Sequence, residues 1–265
     1  MSARPNTLWI YTRHLIRRYA RTGIWWALVI AVYISALIGV YPTFLESGTL
    51  DLERLPDFMI EAFDIPDMSQ LSEFLQQQVF MNLPLIMPFF LIMAFANAIA
   101  GAEDRGALDI LLGNPIPRRN VVLAHWISAV VVLLGIVLFV GVVMWTMAQI
   151  MDLELAFGAA MRGVLNLMPI TTAFGTLALA LSARMRNSGA VIGIVFALIF
   201  LMFLLNVLAN LVTSLDWLGR ISVFHYYGRA MTGDFPWGSA AFLSAIALGL
   251  LGIAIAVFKR RDIYT

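Results

Sequence analysis

The stretch GAVIGIVFALIFLMFLLNVLANLV, residues 189–212, decides the fold of this chain because it contains no charged residue. A bilayer core about 30 Å thick is crossed by roughly 20 apolar residues in a helix, so this stretch predicts a transmembrane helix. The same test of length and composition is met by four other stretches, at residues 24–44, 121–149, 159–183 and 238–258.

A sixth apolar stretch, residues 79–100, is long enough to cross the bilayer but carries Asn82, Pro84, Pro88 and Asn97. Proline removes a backbone donor and disturbs the preceding turn, so we predict a kink in the first half of this helix. The predicted fold class is therefore an all-α integral membrane protein with six transmembrane helices.

The composition agrees with a membrane protein. Hydrophobic residues make up 61% of the 265 positions and charged residues 12%, whereas a soluble domain carries about 25% charged residues. The absence of cysteine excludes disulfides and thiol chemistry. No internal repeat is visible, so we treat residues 1–265 as one transmembrane domain.

The distribution of lysine and arginine predicts the orientation. With the N-terminus in the cytoplasm, 13 of the 17 Lys and Arg residues fall in the inside segments. Because positive charge is retained on the cytoplasmic side, we expect both termini to be cytoplasmic.

Residues 5–21 form a basic, aromatic leader ahead of the first predicted span. On a helical wheel its apolar side chains occupy one half and its basic side chains the other, as in helices that lie in the headgroup plane. The residues assigned to this interfacial helix are Trp9, Arg13, Arg17, Arg18 and Arg21. The alternative is a solvated leader that only sets the topology.

Two segments are predicted outside. Residues 45–78 carry a net charge of −7, typical of a solvated helical cap, with a gate or docking surface as the alternative. Residues 214–237 are aromatic and interrupted by Gly and Pro, which favours a short re-entrant piece at the outer interface. We interpret His225 there as an interfacial hydrogen-bonding residue.

Several kinds of chemistry are excluded. The phosphate-binding pattern G-x-x-x-x-G-K-[ST] needs a lysine after glycine, and the only lysine, Lys259, follows Phe258. No zinc-protease or nucleophile-elbow motif is present, so we predict no catalytic residue and no metal ligand. His125 and Ser128 are interpreted as residues near the start of a helix. The net charge of +1 gives no reason to expect a nucleic-acid partner.

Polar residues inside the predicted spans are amides and hydroxyls. They are Asn97, Asn166, Thr172, Asn206 and Asn210. Hydrogen bonding between helices is the favoured interpretation, and a substrate path is the alternative. An ion-gradient transporter would need an ionisable residue in mid-span, and an intramembrane hydrolase a paired nucleophile and base; neither is found.

The loop GAEDRGALDILLGNPIPRRN, residues 101–120, contains a short amphipathic segment, ALDILL, between Gly106 and the Asn114-Pro115 pair. A loop that serves only topology would not need an apolar helix on the cytoplasmic side. This pattern indicates a surface that docks on a partner protein.

This loop resembles that of the permease subunits of type-2 ABC exporters. The resemblance lies in Glu103, Gly106, Leu108, Asp109, Leu111, Leu112, Pro115 and Arg118. The ending FKRRDIYT, the segment SVFHYYGRAMTGD and the basic leader also resemble that family, so the resemblance covers the whole chain.

The resemblance implies a permease in the cytoplasmic membrane of a prokaryote, paired with a second copy or homologue into a twelve-span dimer. A separate cytoplasmic ATPase subunit would bind ATP and Mg²⁺, and this chain would hold no cofactor. The residues implied in coupling are Glu103, Arg105, Gly106, Leu108, Asp109, Leu112, Pro115, Arg118 and Arg119. The exported substrate would be amphipathic or hydrophobic: a drug, peptide or lipid. An ion-gradient transporter remains the alternative.

Overall fold

The computed structural model describes residues 6–46, 70–104, 117–211 and 215–260. Within these residues, six helices are long and apolar enough to cross a membrane, which confirms the predicted fold class. In chain order the α-helices are α1 (Asn6–Glu46), α2 (Leu71–Leu75), α3 (Leu83–Ile86), α4 (Pro88–Ala96), α5 (Ala100–Asp104), α6 (Arg118–Ile150), α7 (Phe157–Arg184), α8 (Ser188–Leu211), α9 (Asp216–Gly219) and α10 (Trp237–Arg260).

The first helix differs from the prediction in one respect. The N-terminal helix at 5–21 is present, but the break expected between it and the span at 24–44 is not, because α1 continues from Asn6 to Glu46. Gly23 is the only weak helix former at that point, and one interior glycine costs only about 1 kcal/mol. Its missing side chain also leaves room for Val132, which a Cβ at this position would meet at 2.6 Å.

The apolar face of the leader packs on protein. Leu15 and Tyr19 are buried, and the helix runs along the first half of α6. The Ser128 hydroxyl of α6 donates a hydrogen bond of 3.0 Å to the carbonyl of Thr12. The predicted amphipathicity is thus correct, but the apolar face packs on α6. The basic residues of the leader are exposed, and of its large apolar residues Trp9 and Ile10 are exposed as well.

The second span, Leu71–Ala96, is interrupted as predicted, but it begins eight residues before the predicted start at 79, so residues 71–78 belong to the span and not to the outside segment predicted at 45–78. It begins with α2, continues as a π-helix over Gln76–Phe80, turns, and resumes as α3 and α4. Pro84 and Pro88 occupy first-turn positions of α3 and α4, where a missing backbone donor costs least. The two prolines therefore start new helical segments instead of kinking one long helix.

The four remaining spans begin and end within three residues of their predicted positions. Helix α7 is the most buried of the six and packs against α4, α6 and α10. Close approach depends on small residues: a Cβ at Gly163 would lie 2.8 Å from the Phe80 ring. By contrast, α8 and α10 expose most of their apolar surface, which suits helices that contact lipid.

Two buried threonines of α7 provide a test of this packing. The Thr176 hydroxyl accepts a bond of 2.9 Å from the Trp126 indole and donates to the Thr172 carbonyl, whereas Thr171 Oγ1 has no partner in the described chain. We expect Thr176→Val to lower the unfolding free energy by about 1 kcal/mol, because it leaves the indole N–H unpaired. The matched Thr171→Val should be neutral or stabilising. Thermal unfolding in detergent measures both, and equal losses would contradict these assignments.

Candidate coupling site at one end of the bundle

The loop at 105–116 lies outside the described residues, but the two residues of α5 that precede it, Glu103 and Asp104, both have partners near the start of α8. The Asp104 carboxylate accepts hydrogen bonds of 3.0 and 3.1 Å from the backbone N–H and hydroxyl of Ser188. Glu103 forms an ion pair of 3.2 Å with Arg186. Both partners lie at the junction between α7 and α8. The chain that leads into the loop is therefore attached to the ends of two spans.

The other side of the loop is attached to the last span. Arg118 opens α6, and its guanidinium donates to the carbonyls of Phe258 and Lys259, each at 3.4 Å. The guanidinium also lies 5.9 Å from the centre of the Phe258 ring, within the range of a cation–π contact. Those carbonyls belong to the last turn of α10, where a cation is favourable to the helix dipole. Arg119 is exposed beside this contact.

Ser182 of α7 bridges the turn between α4 and α5. Between α4 and α5 the chain turns at residues 97–99, which leaves backbone groups without helical partners. The Ser182 hydroxyl accepts a bond of 3.0 Å from the Ala100 N–H and donates one of 3.2 Å to the Ala96 carbonyl. One buried side chain thus satisfies both sides of the turn and fixes α5 against α7.

His125 lies between the leader and α6, with both ring nitrogens in hydrogen-bond range of a tyrosine. Nδ1 is 2.6 Å from the Tyr19 hydroxyl, Nε2 is 3.2 Å from the Tyr11 hydroxyl, and the Tyr19 hydroxyl is 3.4 Å from the Ala94 carbonyl. With the proton on Nδ1, Tyr11 donates to Nε2, Nδ1–H donates to Tyr19, and Tyr19 donates to Ala94. A neutral imidazole carries one N–H, so in either tautomer the ring accepts a hydrogen bond from one tyrosine and donates one to the other.

The opposite end of the bundle is held by the segment before α10. Arg229 pairs with Glu73 of α2, and the Met231 N–H donates to Gln76 of the π-helix. Asn166 donates to the carbonyl of Tyr227. Burial raises the pKa of Tyr227, so its phenol stays protonated at any physiological pH.

Comparison with known protein families identifies the class of protein. Residues 14–259 match the family described as "Multidrug efflux system permease Rv1217c, C-terminal domain". The chain belongs to this family. None of the curated proteins matches the chain. Family membership makes the chain a membrane transport subunit, and the six apolar helices make it a multi-pass one.

Some of the predicted coupling residues fall in the described part of this permease. Glu103 and Arg118 lie on the two sides of the loop, and Arg119 is next to Arg118. The predicted residues that lie outside the described chain are Arg105, Gly106, Leu108, Asp109, Leu112 and Pro115. Sequence reasoning missed Ser182, Arg186 and Ser188. In the sequence, Arg186 is only one of the Lys and Arg residues that predict a cytoplasmic segment.

The predicted polar residues of the spans have different partners. Asn97 donates to the carbonyl of Met93 in its own helix, at 2.8 Å, and Asn166 bonds Tyr227. Thr172 is buried in α7, Asn206 is half-buried and Asn210 exposed in α8. His225 is exposed in the segment before α10, beside the Tyr226 ring. Among the described residues, no cluster of His, Asp or Glu could hold a metal ion.

Proposed function

We propose that this permease is the membrane subunit of an ATP-driven exporter of the type-2 ABC class. The observation that supports the proposal is the attachment of the described residues that flank 105–116. On one side α5 contacts α7 and the start of α8, and on the other side Arg118 contacts α10. A partner that pushes on this loop would move three spans together. Such a connection is what a coupling loop requires.

The energy source would be a separate chain. The permease contains one lysine, and that lysine is not preceded by glycine, so no phosphate-binding loop can form here. The partner would therefore supply ATP, Mg²⁺ and hydrolysis. A second permease copy or homologue would complete a twelve-span dimer, and the substrate would be an amphipathic or hydrophobic drug, peptide or lipid.

The docking of the ATPase is tested at Asp109, in the amphipathic part of the loop. Asp109→Arg places a reversed charge at the contact, where a like-charge juxtaposition costs several kcal/mol. We expect at least about a tenfold loss of the P-loop ATPase that copurifies with the permease, together with loss of ATP-dependent export.

The control for this experiment is Glu154→Arg, an equal charge reversal at an exposed residue between α6 and α7. It should copurify the ATPase as the wild type does. Normal binding and export by Asp109→Arg would reject the loop as the coupling element. Export that follows an ion gradient without any ATPase would favour the ion-gradient alternative.

The proposed orientation is tested by single cysteines, since the chain has none of its own. Glu154 and Ala190 are exposed and lie beyond opposite ends of α7. With the cytoplasmic termini proposed here, Ala190→Cys should react with a membrane-impermeant maleimide only in inside-out vesicles, and Glu154→Cys only in right-side-out cells. The reverse pattern would invert the orientation, and labelling of both from one side would reject the six-span topology.

A further inference from the structure

A cavity of about 250 Å³ lies between α1, α4 and α6, at the coupling end of the bundle. Its position is defined by Asn97 and Ala98, which line it and lie in the turn bridged by Ser182. His125 forms part of the wall, and Tyr19 connects that wall to α4 through the Ala94 carbonyl. Hydrogen bonds between three helices therefore hold the polar wall of the cavity in place.

The charge of the cavity is positive. Among the described residues that line it, Arg18 alone carries a full charge and none is acidic. No ion pair between described residues includes Arg18. A guanidinium presents a planar fork that binds a carboxylate or phosphate with two hydrogen bonds, so Arg18 is suited to an anionic group.

The rest of the cavity is apolar and aromatic. Trp26, Phe90 and Met93 line it, and Met93 is 49% exposed, so this side opens toward the surroundings of the bundle. Methionine adapts its shape to different apolar ligands, and tryptophan offers a large flat surface. A ligand that suits both the charged side at Arg18 and this apolar side has one negative group and an apolar body.

We infer that this cavity binds the acidic end of an amphipathic organic acid, with Arg18 pairing with the anionic group and Trp26 and Phe90 contacting the apolar body. A volume of about 250 Å³ is smaller than the roughly 300–1,000 Å³ of pockets that enclose a whole drug-sized ligand. The cavity therefore holds the head of the molecule, and the remainder extends along α4 past Met93. The inference needs no ATPase, so it stands or falls separately from the proposed function.

The test uses the purified full-length permease in a nonionic detergent and a decanoic acid that carries a diazirine close to its carboxylate. The methyl ester of the same compound is the uncharged control. After irradiation, mass spectrometry maps the labelled peptides. We expect the acid to label the cavity-lining parts of α1 and α4 at least about tenfold more than the ester, since hydrogen bonds to charged groups contribute about 1.5–3 kcal/mol.

Two variants locate the site. Arg18→Gln should reduce labelling by the acid to the level of the ester, whereas Arg17→Gln, an exposed neighbour that does not line the cavity, should leave it unchanged. Thr22→Trp changes an exposed lining residue, fills the space and keeps Arg18, so it should also abolish labelling. Equal labelling by acid and ester, equal losses in Arg17→Gln and Arg18→Gln, or full labelling of Thr22→Trp would each overturn the inference.

Competition distinguishes the sources of the anionic group. Unlabelled decanoate and phosphatidylglycerol are each added before irradiation. Protection by decanoate alone assigns the site to free organic acids, and protection by phosphatidylglycerol assigns it to an anionic lipid headgroup. Both results support an anion site at Arg18, and failure of both compounds to protect would contradict it.

Discussion

Gly175→Val should prevent most of the protein from reaching a folded, monodisperse state. Gly175 is buried in α7 against Leu91 of α4, and a Cβ at this position would lie 2.8 Å from Leu91 Cδ1 and 3.2 Å from its Cγ. Leu91 is itself fully buried, so moving it away from the valine would disturb its other packing contacts. Overpacking of this kind costs typically 1–3 kcal/mol and more where nothing can move, so we expect a loss of about 3 kcal/mol.

The measurement is the yield of monodisperse protein in detergent, together with the midpoint of thermal unfolding. Gly193→Val, on the exposed side of α8, is the matched control, because nothing lies within 4 Å of a Cβ there. It should change stability by less than about 0.5 kcal/mol. Leu91→Ala should partly restore Gly175→Val by making room for the valine. Wild-type stability of Gly175→Val would mean that α4 and α7 are not in close contact at this point.

His125→Leu should destabilise the permease by about 2–4 kcal/mol. The change removes one hydrogen bond from each of two tyrosine hydroxyls, and a buried donor or acceptor left unsatisfied costs about 1–3 kcal/mol. Tyr19 is buried and keeps only its bond to the Ala94 carbonyl, so it should account for most of this loss, whereas Tyr11 is half-buried and can be hydrated. Thermal unfolding of the purified variant measures the change.

A second set of variants separates the hydrogen bonds from the packing. If the loss in His125→Leu comes from unpaired hydroxyls, Tyr19→Phe added to His125→Leu should recover part of it, because the unpaired group is then absent. Tyr11→Phe alone should cost less than Tyr19→Phe alone. A double variant as unstable as the sum of both single variants would show that the histidine acts through its shape alone.

The transmembrane spans could be predicted because a span is defined by the composition of one continuous stretch of sequence. A helix must present about 20 apolar residues to cross the bilayer, and that condition can be counted along the chain without knowledge of any contact. For this reason the ends of α6, α7, α8 and α10 were found within three residues. The leader was predicted as amphipathic for the same local reason, but its periodicity does not say whether the apolar face meets lipid or protein.

The contacts that hold the coupling end could not be predicted in the same way. Ser182 bonds residues more than 80 positions away, and Tyr19 and His125 are 106 positions apart. The residues around a serine near the end of a span do not indicate whether its hydroxyl bonds its own helix or bridges a turn of another segment. Tyr11 and Tyr19 lie on one face of α1, and this spacing indicates that both could contact the same neighbouring helix. It does not identify His125 as the residue they contact.

By itself, the sequence determined that the chain lies in a membrane with six spans and that its lone lysine cannot serve a phosphate-binding loop. Both conclusions depend on composition and on neighbours in the chain. Only the tertiary structure decided that the described residues on the two sides of the loop after the second span contact three other spans, and that Arg18 lines a cavity whose described lining contains no acidic residue. Those features arise from the packing of helices distant in sequence, where side chains meet through geometry that no local pattern encodes.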